Sequence, residues 1–316
     1  MKAYLKNSFR SFFTFNPLIQ VLDILGVLFE RIGKRELRIK LIKKKNNLIM
    51  KFISKNFDSL YNQIEQSEVT KKHGNSETIW TCWWQGEEKA PPLVKKCIHN
   101  LRNFSDNREV IVITLDNFRD YVDIDAKILE KVKSQKISYT HFSDILRFKL
   151  LSEYGGIWID STVLCLKTLP LNNNNFFTSK YKSEGTNIMI NLDEDRGLTK
   201  WNTYSLGGNS ILFTYVSEFL SDYAIRYNSF IDYFLIDFFI EYVYKRNEEV
   251  RNEIDGVPLN NVHVWDLQNL MNQPFSKEKM NLISDNTMFY KLTYKKKYNN
   301  WDINQRPTFY KTLIDE

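Results

Sequence analysis

The segment SDILRFKLLSEYGGIWIDST, residues 143–162, decides the fold. Apolar side chains recur at helical spacing over residues 143–154, and Gly155 and Gly156 end the helix, because glycine readily takes the left-handed conformation that a helix C-terminus needs. Residues 157–159 predict a short buried strand, and Asp160 follows at once. Ligands of open α/β sheets bind beyond the carboxyl ends of the strands, so we expect Asp160 to face a ligand crevice.

A βαβ unit precedes this segment. TIWTCWW (78–84) and EVIVIT (109–114) predict two strands, the second buried on both faces of a parallel sheet, and PPLVKKCIHNLRNF (91–104) predicts the helix between them. A further helix is expected from Asp125. The sequence therefore predicts an α/β fold with a mixed, mainly parallel sheet flanked by helices.

Composition narrows the class of protein. The chain has 316 residues, 43% of them hydrophobic, with only 11 Gly and 7 Pro, which excludes a largely disordered protein. Its cysteines, Cys82, Cys97 and Cys165, are odd in number and lack CxxC spacing, so neither a disulfide framework nor a zinc cluster is indicated. They are typical of reduced, intracellular thiols.

The first 72 residues predict a basic helical segment. Residues 31–55 hold ten Lys or Arg against one Glu. This surface could lie on anionic lipid, or it could be the solvated face of a helical subdomain packed on the core, and the sequence favours neither. Nucleic-acid binding is disfavoured, since no recognised binding module accompanies the charge. The apolar run within residues 17–29 is too short for a membrane span or a secretory signal, so we expect a cytoplasmic protein, peripheral on the inner face of the plasma membrane if the lipid hypothesis holds.

Residues 217–246 predict two amphipathic helices rich in Tyr and Phe. Asp232 and Asp237 are acidic residues in this apolar context, which usually means a partner or a function, although a helix cap explains Asp232 equally well. Gly207 and Gly208 fit either close approach to a sugar or a hairpin turn. His263 alone is more often a structural histidine than a ligand.

Charged side chains flank the Gly-Gly turn. Asp144 and Arg147 share a helix face, which alone indicates a surface ion pair, and Asp160 alone indicates a turn or cap residue. Together they bring two carboxylates and a guanidinium to one sheet edge. Arginine offers a fork to phosphate, and aspartate binds ribose or sugar hydroxyls or a divalent cation, so the set suits a nucleotide diphosphate.

The run HFSDILRFKLLSEYGGIWIDSTV, with TIWTCWWQGEEKAPPLVKKC upstream, resembles the bacterial capsular polysaccharide synthesis glycosyltransferases. These belong to the group with an Asp-any-Asp sugar-binding region, which includes yeast-type mannosyltransferases and clostridial glucosylating toxins. The resemblance covers at least Glu77 to Pro170 and extends through WNTYSLGG and IDYFLIDFF to KLTYKK. It implies a GT-A type nucleotide-sugar-binding domain over residues 73–316, after the N-terminal segment 1–72.

The resemblance also implies roles for single residues. Trp83 matches the aromatic residue that stacks on the base, Asp144 the residue that binds ribose or donor sugar, and Arg147 a donor contact. Asp160 matches the first acidic residue of the Asp-any-Asp motif, and Asp237 a carboxylate that binds donor-sugar hydroxyls. The predicted catalytic residues are Asp160, Arg147 and Asp237, and the predicted donor-binding set adds the following residues: Trp83, Thr81, Ser143, Asp144, Gly208 and Lys291.

Thr162 stands where the motif's second carboxylate is expected. A hydroxyl is a weaker partner for a hard cation, so the predicted Mn²⁺ or Mg²⁺ would be held by Asp160, largely through water, with Thr162 and His263 as weak candidates. Otherwise the diphosphate must be neutralised by basic side chains, with Arg147, Lys291 and His263 as candidates.

The implied function is transfer of a hexose from a nucleotide-diphosphate sugar, with a UDP-sugar favoured, to a lipid-linked saccharide acceptor in capsular or other cell-surface polysaccharide synthesis. Relatives of the group retain the anomeric configuration, so retention is expected. The main alternative is a noncatalytic capsule-assembly or membrane-scaffold protein whose nucleotide-sugar site has decayed. A weaker alternative is a metal-dependent sugar-phosphate transferase or nucleotidyltransferase.

Overall fold

The computed structural model describes residues 11–67, 77–168, 176–182, 199–200 and 205–315. Its N-terminal part is a pair of helices, α1 (Pro17–Arg31) and α2 (Arg35–Gln66), which pack against each other. The Asn16 side chain accepts the Leu18 N–H at the start of α1, and Gly33, with φ of 73°, allows the sharp turn between the helices. The predicted N-terminal helical segment is confirmed over these ranges; residues 1–10 and 68–76 lie outside the described residues.

The predicted βαβ unit is present. Strand β1 (Ile79–Cys82), helix α3 (Pro92–Asn103) and strand β2 (Val110–Ile113) follow in order, and the two strands pair in parallel. The expectation that the second strand is buried on both faces is wrong for most of its length. β2 lies at the edge of the sheet, where its first three residues stay half-buried.

The Gly-Gly segment folds as expected. Helix α4 (Ala126–Lys133) leads to α5 (Tyr139–Tyr154), which ends at Gly155 and Gly156 with φ of 68° and 81°. Strand β3 (Ile157–Ile159) follows and pairs in parallel with β1. The Trp80 indole N–H donates to the Gly155 carbonyl at 3.0 Å and so fixes the turn against the neighbouring strand.

The remaining strands complete one larger and two smaller sheets in the described part of the chain. They are β4 (Val163–Cys165), β5 (Phe177–Thr178), β6 (Tyr181–Lys182), β7 (Thr199–Lys200), β8 (Ser205–Gly207) and β9 (Phe289–Lys291). The larger sheet has the order β2-β1-β3-β8-β5, with β8 antiparallel to its neighbours. Two antiparallel pairs, β4 with β9 and β6 with β7, lie outside it.

Helices from both ends of the chain cover the sheet. The C-terminal ones are α6 (Leu212–Arg226), α7 (Leu235–Arg246), α8 (Glu248–Gly256), α9 (Asp266–Leu270), α10 (Lys277–Ile283) and α11 (Phe309–Leu313). Phe57 and Tyr61 of α2 share one apolar core with Phe219 and Tyr223 of α6 and Phe239 of α7. The C-terminal half of α2 is therefore built into the same core as the α/β body.

The predicted fold class is confirmed: the protein has a mixed, mainly parallel sheet flanked by helices, with a helical N-terminal segment. All three cysteines are buried and free. Across the ranges that the structure describes, each helix is too short or too polar to cross a bilayer.

Candidate functional site

Asp160 lies at the carboxyl end of β3, where the chain turns into β4. The Val163 N–H donates to the Asp160 carbonyl at 2.9 Å and closes this turn. Strand β9 pairs with β4 so that Lys291 lies opposite Val163, and the Leu292 N–H donates to the Thr162 carbonyl at 2.9 Å. This pairing carries a lysine from late in the chain to the edge of the sheet where Asp160 lies.

The Asp160 carboxylate accepts hydrogen bonds on both oxygens. Oδ1 accepts from the Trp158 indole at 2.8 Å and from Arg147 Nη2 at 3.1 Å. Oδ2 accepts from Lys291 Nζ at 2.6 Å, and the same ammonium group donates to Thr162 Oγ1 at 2.7 Å. We call Asp144, Arg147, Asp160, Thr162 and Lys291 the Asp160 cluster.

Charge keeps Asp160 ionised. Burial works to raise its pKa, but the nearby Lys291 and Arg147 charges, with the Lys291 and Trp158 hydrogen bonds, hold the pKa below its usual value. Its side chain remains 25% exposed, so the ion pairs around Asp160 are accessible to solvent on one side.

Arg147 links the two carboxylates predicted from the sequence. Its Nη2 lies 3.5 Å from Asp144 Oδ1 as well as 3.1 Å from Asp160 Oδ1, and its guanidinium sits 5.0 Å from the centre of the Trp158 ring. α5 presents Asp144 and Arg147 one turn apart, and the Gly-Gly turn returns β3 beside them. The local sequence thus builds this half of the cluster.

Among the described residues, Asp144 and Asp237 are carboxyl groups whose pKa lies near neutrality. Burial raises the pKa of Asp144 to about 7, with Arg147 opposing and Asp160 adding to the rise. Burial also raises the pKa of Asp237, in the first turn of α7, to about 7, and the charge of Asp144 contributes. Ionisation of Asp144 thus disfavours ionisation of Asp237.

Trp83 follows β1 at the same edge of the sheet. Its backbone N–H donates to the Ile113 carbonyl. Its ring is half-buried, and the Tyr294 ring packs edge-on against it, with 5.2 Å between the ring centroids. Among the described residues, the Trp83 indole nitrogen has no hydrogen-bond partner. Trp84, in contrast, stacks on Phe142 at 4.7 Å and is bound to α5, which makes it a packing residue.

Other predicted donor-binding residues lie elsewhere or are already engaged. Thr81 is fully buried in β1, so its hydroxyl is closed to a ligand. Gly208 donates its N–H to the Gly156 carbonyl at 3.0 Å, at the opposite end of β3 from Asp160. The hairpin-turn alternative is wrong, because Gly208, with φ of 93°, lies in the turn from β8 into α6. Ser143 accepts from the Trp84 indole at 2.8 Å and donates to the Tyr139 carbonyl.

His263 lies beside β9 and pairs through Nδ1 with Asp266 Oδ2 at 2.7 Å. The helix-cap alternative for Asp232 is wrong, because the N-cap of α7 is Phe234 and no side chain caps it. Asp232 instead accepts the Phe234 N–H in the turn before α7 and binds the Lys45 ammonium at 2.8 Å. The sequence missed Trp158 and Tyr294. Trp158 could have been found, because residues two apart on a strand face the same side and Asp160 follows it at that spacing.

The predicted divalent cation does not fit the side chains as they are arranged. Asp160 and Thr162, its predicted ligands, both bind the Lys291 ammonium. Within the described ranges, no group of three or more His, Cys, Asp or Glu could hold a metal ion. The metal requirement stays a prediction that these contacts do not support.

Chemically, the Asp160 cluster offers two fixed cations to an anionic ligand, and its near-neutral carboxyl group, Asp144, can bind hydroxyls together with Asp237 of α7. Arginine and lysine are the side chains that bind phosphate, and a carboxyl group near its pKa can both donate and accept hydrogen bonds. The half-buried Trp83 ring, with the exposed Tyr294 ring packed edge-on against it, lies at the same edge. This arrangement suits a ligand with phosphate, hydroxyl and planar parts.

Comparisons with known proteins give a family and a similarity to solved structures. No curated protein sequence matches the chain. A solved structure, "PaToxG Glycosyltransferase", is similar over 76% of this chain and 94% of its own, at 14% sequence identity and a TM-score of 0.36. The family model described as "Capsular polysaccharide synthesis protein" matches residues 31–313, which include every residue of the Asp160 cluster. The chain belongs to this capsular polysaccharide synthesis protein family.

Proposed function

We propose that this protein is a glycosyltransferase of the GT-A type that transfers a hexose from a nucleotide-diphosphate sugar to a saccharide acceptor in capsular polysaccharide synthesis. The observation that carries the proposal is the Asp160 cluster, where Arg147 and Lys291 converge on one carboxylate at the carboxyl edge of β3. Family membership supports the capsular context. A UDP-sugar donor, a lipid-linked acceptor and retention of configuration rest on the sequence resemblance alone.

In this proposal each group has a defined task. Trp83 and Tyr294 receive the base, Arg147 and Lys291 bind the diphosphate, and Asp144 and Asp237 bind sugar hydroxyls. The bond between the anomeric carbon and the phosphate oxygen breaks, and both electrons stay on that oxygen. The acceptor hydroxyl oxygen bonds to the anomeric carbon, and its proton passes to the departing phosphate. The two cations stabilise the charge that develops on the leaving group.

The test is turnover of nucleotide sugars by purified protein. We expect release of nucleoside diphosphate with one donor of a panel, and loss of about 100-fold or more in rate for R147M and D160N. D106N is the matched control, because Asp106 is exposed in the loop before β2, beyond the end of the sheet opposite Asp160. Circular dichroism of each variant checks its fold.

Other products separate the alternatives. Release of nucleoside monophosphate or pyrophosphate would identify a sugar-phosphate transferase or nucleotidyltransferase. Binding of donor without turnover, across a panel of acceptors, would favour the noncatalytic scaffold protein. Absence of both binding and turnover would remove the nucleotide-sugar proposal.

We also infer that the α1 face docks on an anionic membrane surface. Ile24, Leu28 and Ile32 are one turn apart, and their exposed fractions are 61%, 49% and 63%. The basic stretch 31–55 begins at the end of this face. Exposed apolar side chains beside lysine and arginine are typical of helices that lie in the interface of anionic bilayers. The buried half of α2 fits the packed-subdomain alternative, whereas the outer face of α1 is left for the membrane.

Sedimentation with vesicles tests this inference. Wild-type protein should sediment with phosphatidylglycerol vesicles and not with phosphatidylcholine vesicles, and added salt should release it. The triple variant I24S/L28S/I32S should stay in solution. L282S is the matched control, because Leu282 is equally exposed on α10, far along the chain. The membrane proposal would be refuted if wild type and L282S formed concentration-dependent dimers but bound no vesicles, while the triple variant stayed monomeric. This face would then be a self-association surface.

A further inference from the structure

Lys291 occupies the position between the two side chains that the motif would use to hold a cation. Its ammonium group lies 2.6 Å from Asp160 Oδ2 and 2.7 Å from Thr162 Oγ1. Asp160 and Thr162 are the first and third residues of the segment that matches the Asp-any-Asp motif. The Lys291 ammonium charge is therefore already bound by Asp160 Oδ2 and Thr162 Oγ1.

The backbone around Lys291 is fixed on both sides. Its N–H donates to the Val264 carbonyl at 2.8 Å, and the next residue, Leu292, donates to the Thr162 carbonyl at 2.9 Å. Its side chain is only 17% exposed. A lysine held in this way is a preorganised charge, and it need not be recruited when an anion arrives.

Threonine in place of the motif's second carboxylate at position 162 is consistent with a lysine, rather than a metal ion, beside Asp160. A second carboxylate at 162 would attract a divalent cation and would also need one for charge balance. The neutral Thr162 hydroxyl instead accepts a hydrogen bond from the Lys291 ammonium, which a single carboxylate at Asp160 can neutralise. Arg147 then gives the cluster a second, permanent cation facing the same carboxylate.

We propose that the Lys291 ammonium takes the place of the divalent cation, so that this protein binds a nucleoside diphosphate without metal. The proposal rests on the proposed function, because it concerns the leaving group of that reaction. Binding of the diphosphate to Lys291 and Arg147 supplies the positive charge that the bond-breaking step needs. No bound metal ion has to enter or leave during a catalytic cycle.

Calorimetric binding of UDP to the purified full chain is the test, in the presence of excess EDTA and, separately, of Mn²⁺. We expect equal UDP affinity under both conditions for wild type. K291M, which keeps the apolar stem, should weaken UDP binding by about 10- to 100-fold. K277M is the matched control, because Lys277 is an exposed lysine at the start of α10.

A double variant tests whether restoring the second carboxylate restores a metal site. K291M/T162D removes the ammonium and restores the second carboxylate, so it should bind Mn²⁺ in the absence of nucleotide, as read by Mn²⁺ electron paramagnetic resonance. Its UDP binding should return only with Mn²⁺. Thermal unfolding of each variant shows whether it is folded, and K291R, which keeps a cation, should retain more UDP affinity than K291M.

The outcomes distinguish this inference from the proposed function. If EDTA abolishes UDP binding and turnover by wild type and Mn²⁺ restores them, Lys291 does not replace the metal, and the transferase proposal stands. Equal UDP binding by K291M and K277M would also overturn the role of Lys291. If wild type neither binds UDP nor turns over any nucleotide sugar with or without Mn²⁺, the proposed function fails first.

Discussion

Replacing Asp144 by asparagine should stabilise the protein while it weakens the site. Burial raises the pKa of Asp144 from 3.8 to about 7. Each pKa unit corresponds to about 1.4 kcal/mol, so the ionised form of Asp144 costs the folded state about 4 kcal/mol at high pH. Asparagine keeps the shape of the side chain and cannot ionise, so D144N removes this cost.

The sign of the pH dependence follows from proton binding. Between the unfolded value of 3.8 and the folded value of about 7, the folded state binds more protons at Asp144 than the unfolded state does, so stability falls as pH rises. The difference in free energy of unfolding between D144N and wild type should be about 0.5 kcal/mol near pH 4 and about 4 kcal/mol near pH 8. Above the folded pKa it should level off.

Urea unfolding of wild type and D144N, followed by tryptophan fluorescence across this pH range, measures the difference. D106N reports the background effect of the same acid-to-amide change at an exposed carboxylate. A difference that does not grow with pH, or a D144N protein less stable than wild type near neutrality, would mean that the Arg147 ion pair outweighs burial. The reasoning about the near-neutral pair with Asp237 would then be refuted as well.

Three further changes test other parts of the fold and site. G207A places a Cβ 2.5 Å from the Gly156 carbonyl oxygen, so β3 and β8 must separate, and urea unfolding should show a loss of about 1–3 kcal/mol. K45M removes the ammonium that binds Asp232 at 2.8 Å, and chemical denaturation should show a loss of about 3 kcal/mol, because a largely buried carboxylate loses its partner. W83A should reduce UDP affinity by about 10-fold or more in calorimetry. Because the ring packs against Ala90, Val94 and Ile98, a lower unfolding midpoint should accompany this loss, and the calorimetry is done well below that midpoint. An unchanged UDP affinity of W83A would remove the aromatic contact from the proposal.

Local patterns predicted the part of the site that the chain builds from consecutive residues. Helical spacing, the Gly-Gly stop and a three-residue strand place Asp144, Arg147 and Asp160 within one continuous stretch, and the structure brings these three side chains together. Each step there follows from short-range backbone preferences. The same preferences predicted the βαβ unit that supports them.

Long-range pairing was beyond such patterns. The apolar run of β2 predicted a buried strand, but only its place at the sheet edge, set by which strands pair, decides its exposure. Gly208 lies at the wrong end of β3 because β8 runs antiparallel, a direction that no local periodicity encodes. Lys291 was proposed only as a basic candidate, and its exact ligands depend on the register of β9 against β4.

The site separates its carboxyl groups by environment. Asp160 has Lys291 and Arg147 against it and stays ionised although burial opposes this, whereas burial raises the pKa of Asp144 and of Asp237 to about 7. Carboxyl groups held in such different states perform different tasks at one site. Asp160 orients the cations, while the pair with higher pKa values is destabilising unless a ligand supplies hydroxyl groups to it. A sugar that binds both Asp144 and Asp237 should therefore stabilise the folded protein most where the pair is ionised, so the shift in unfolding midpoint on adding the correct donor should be larger near pH 8 than near pH 5.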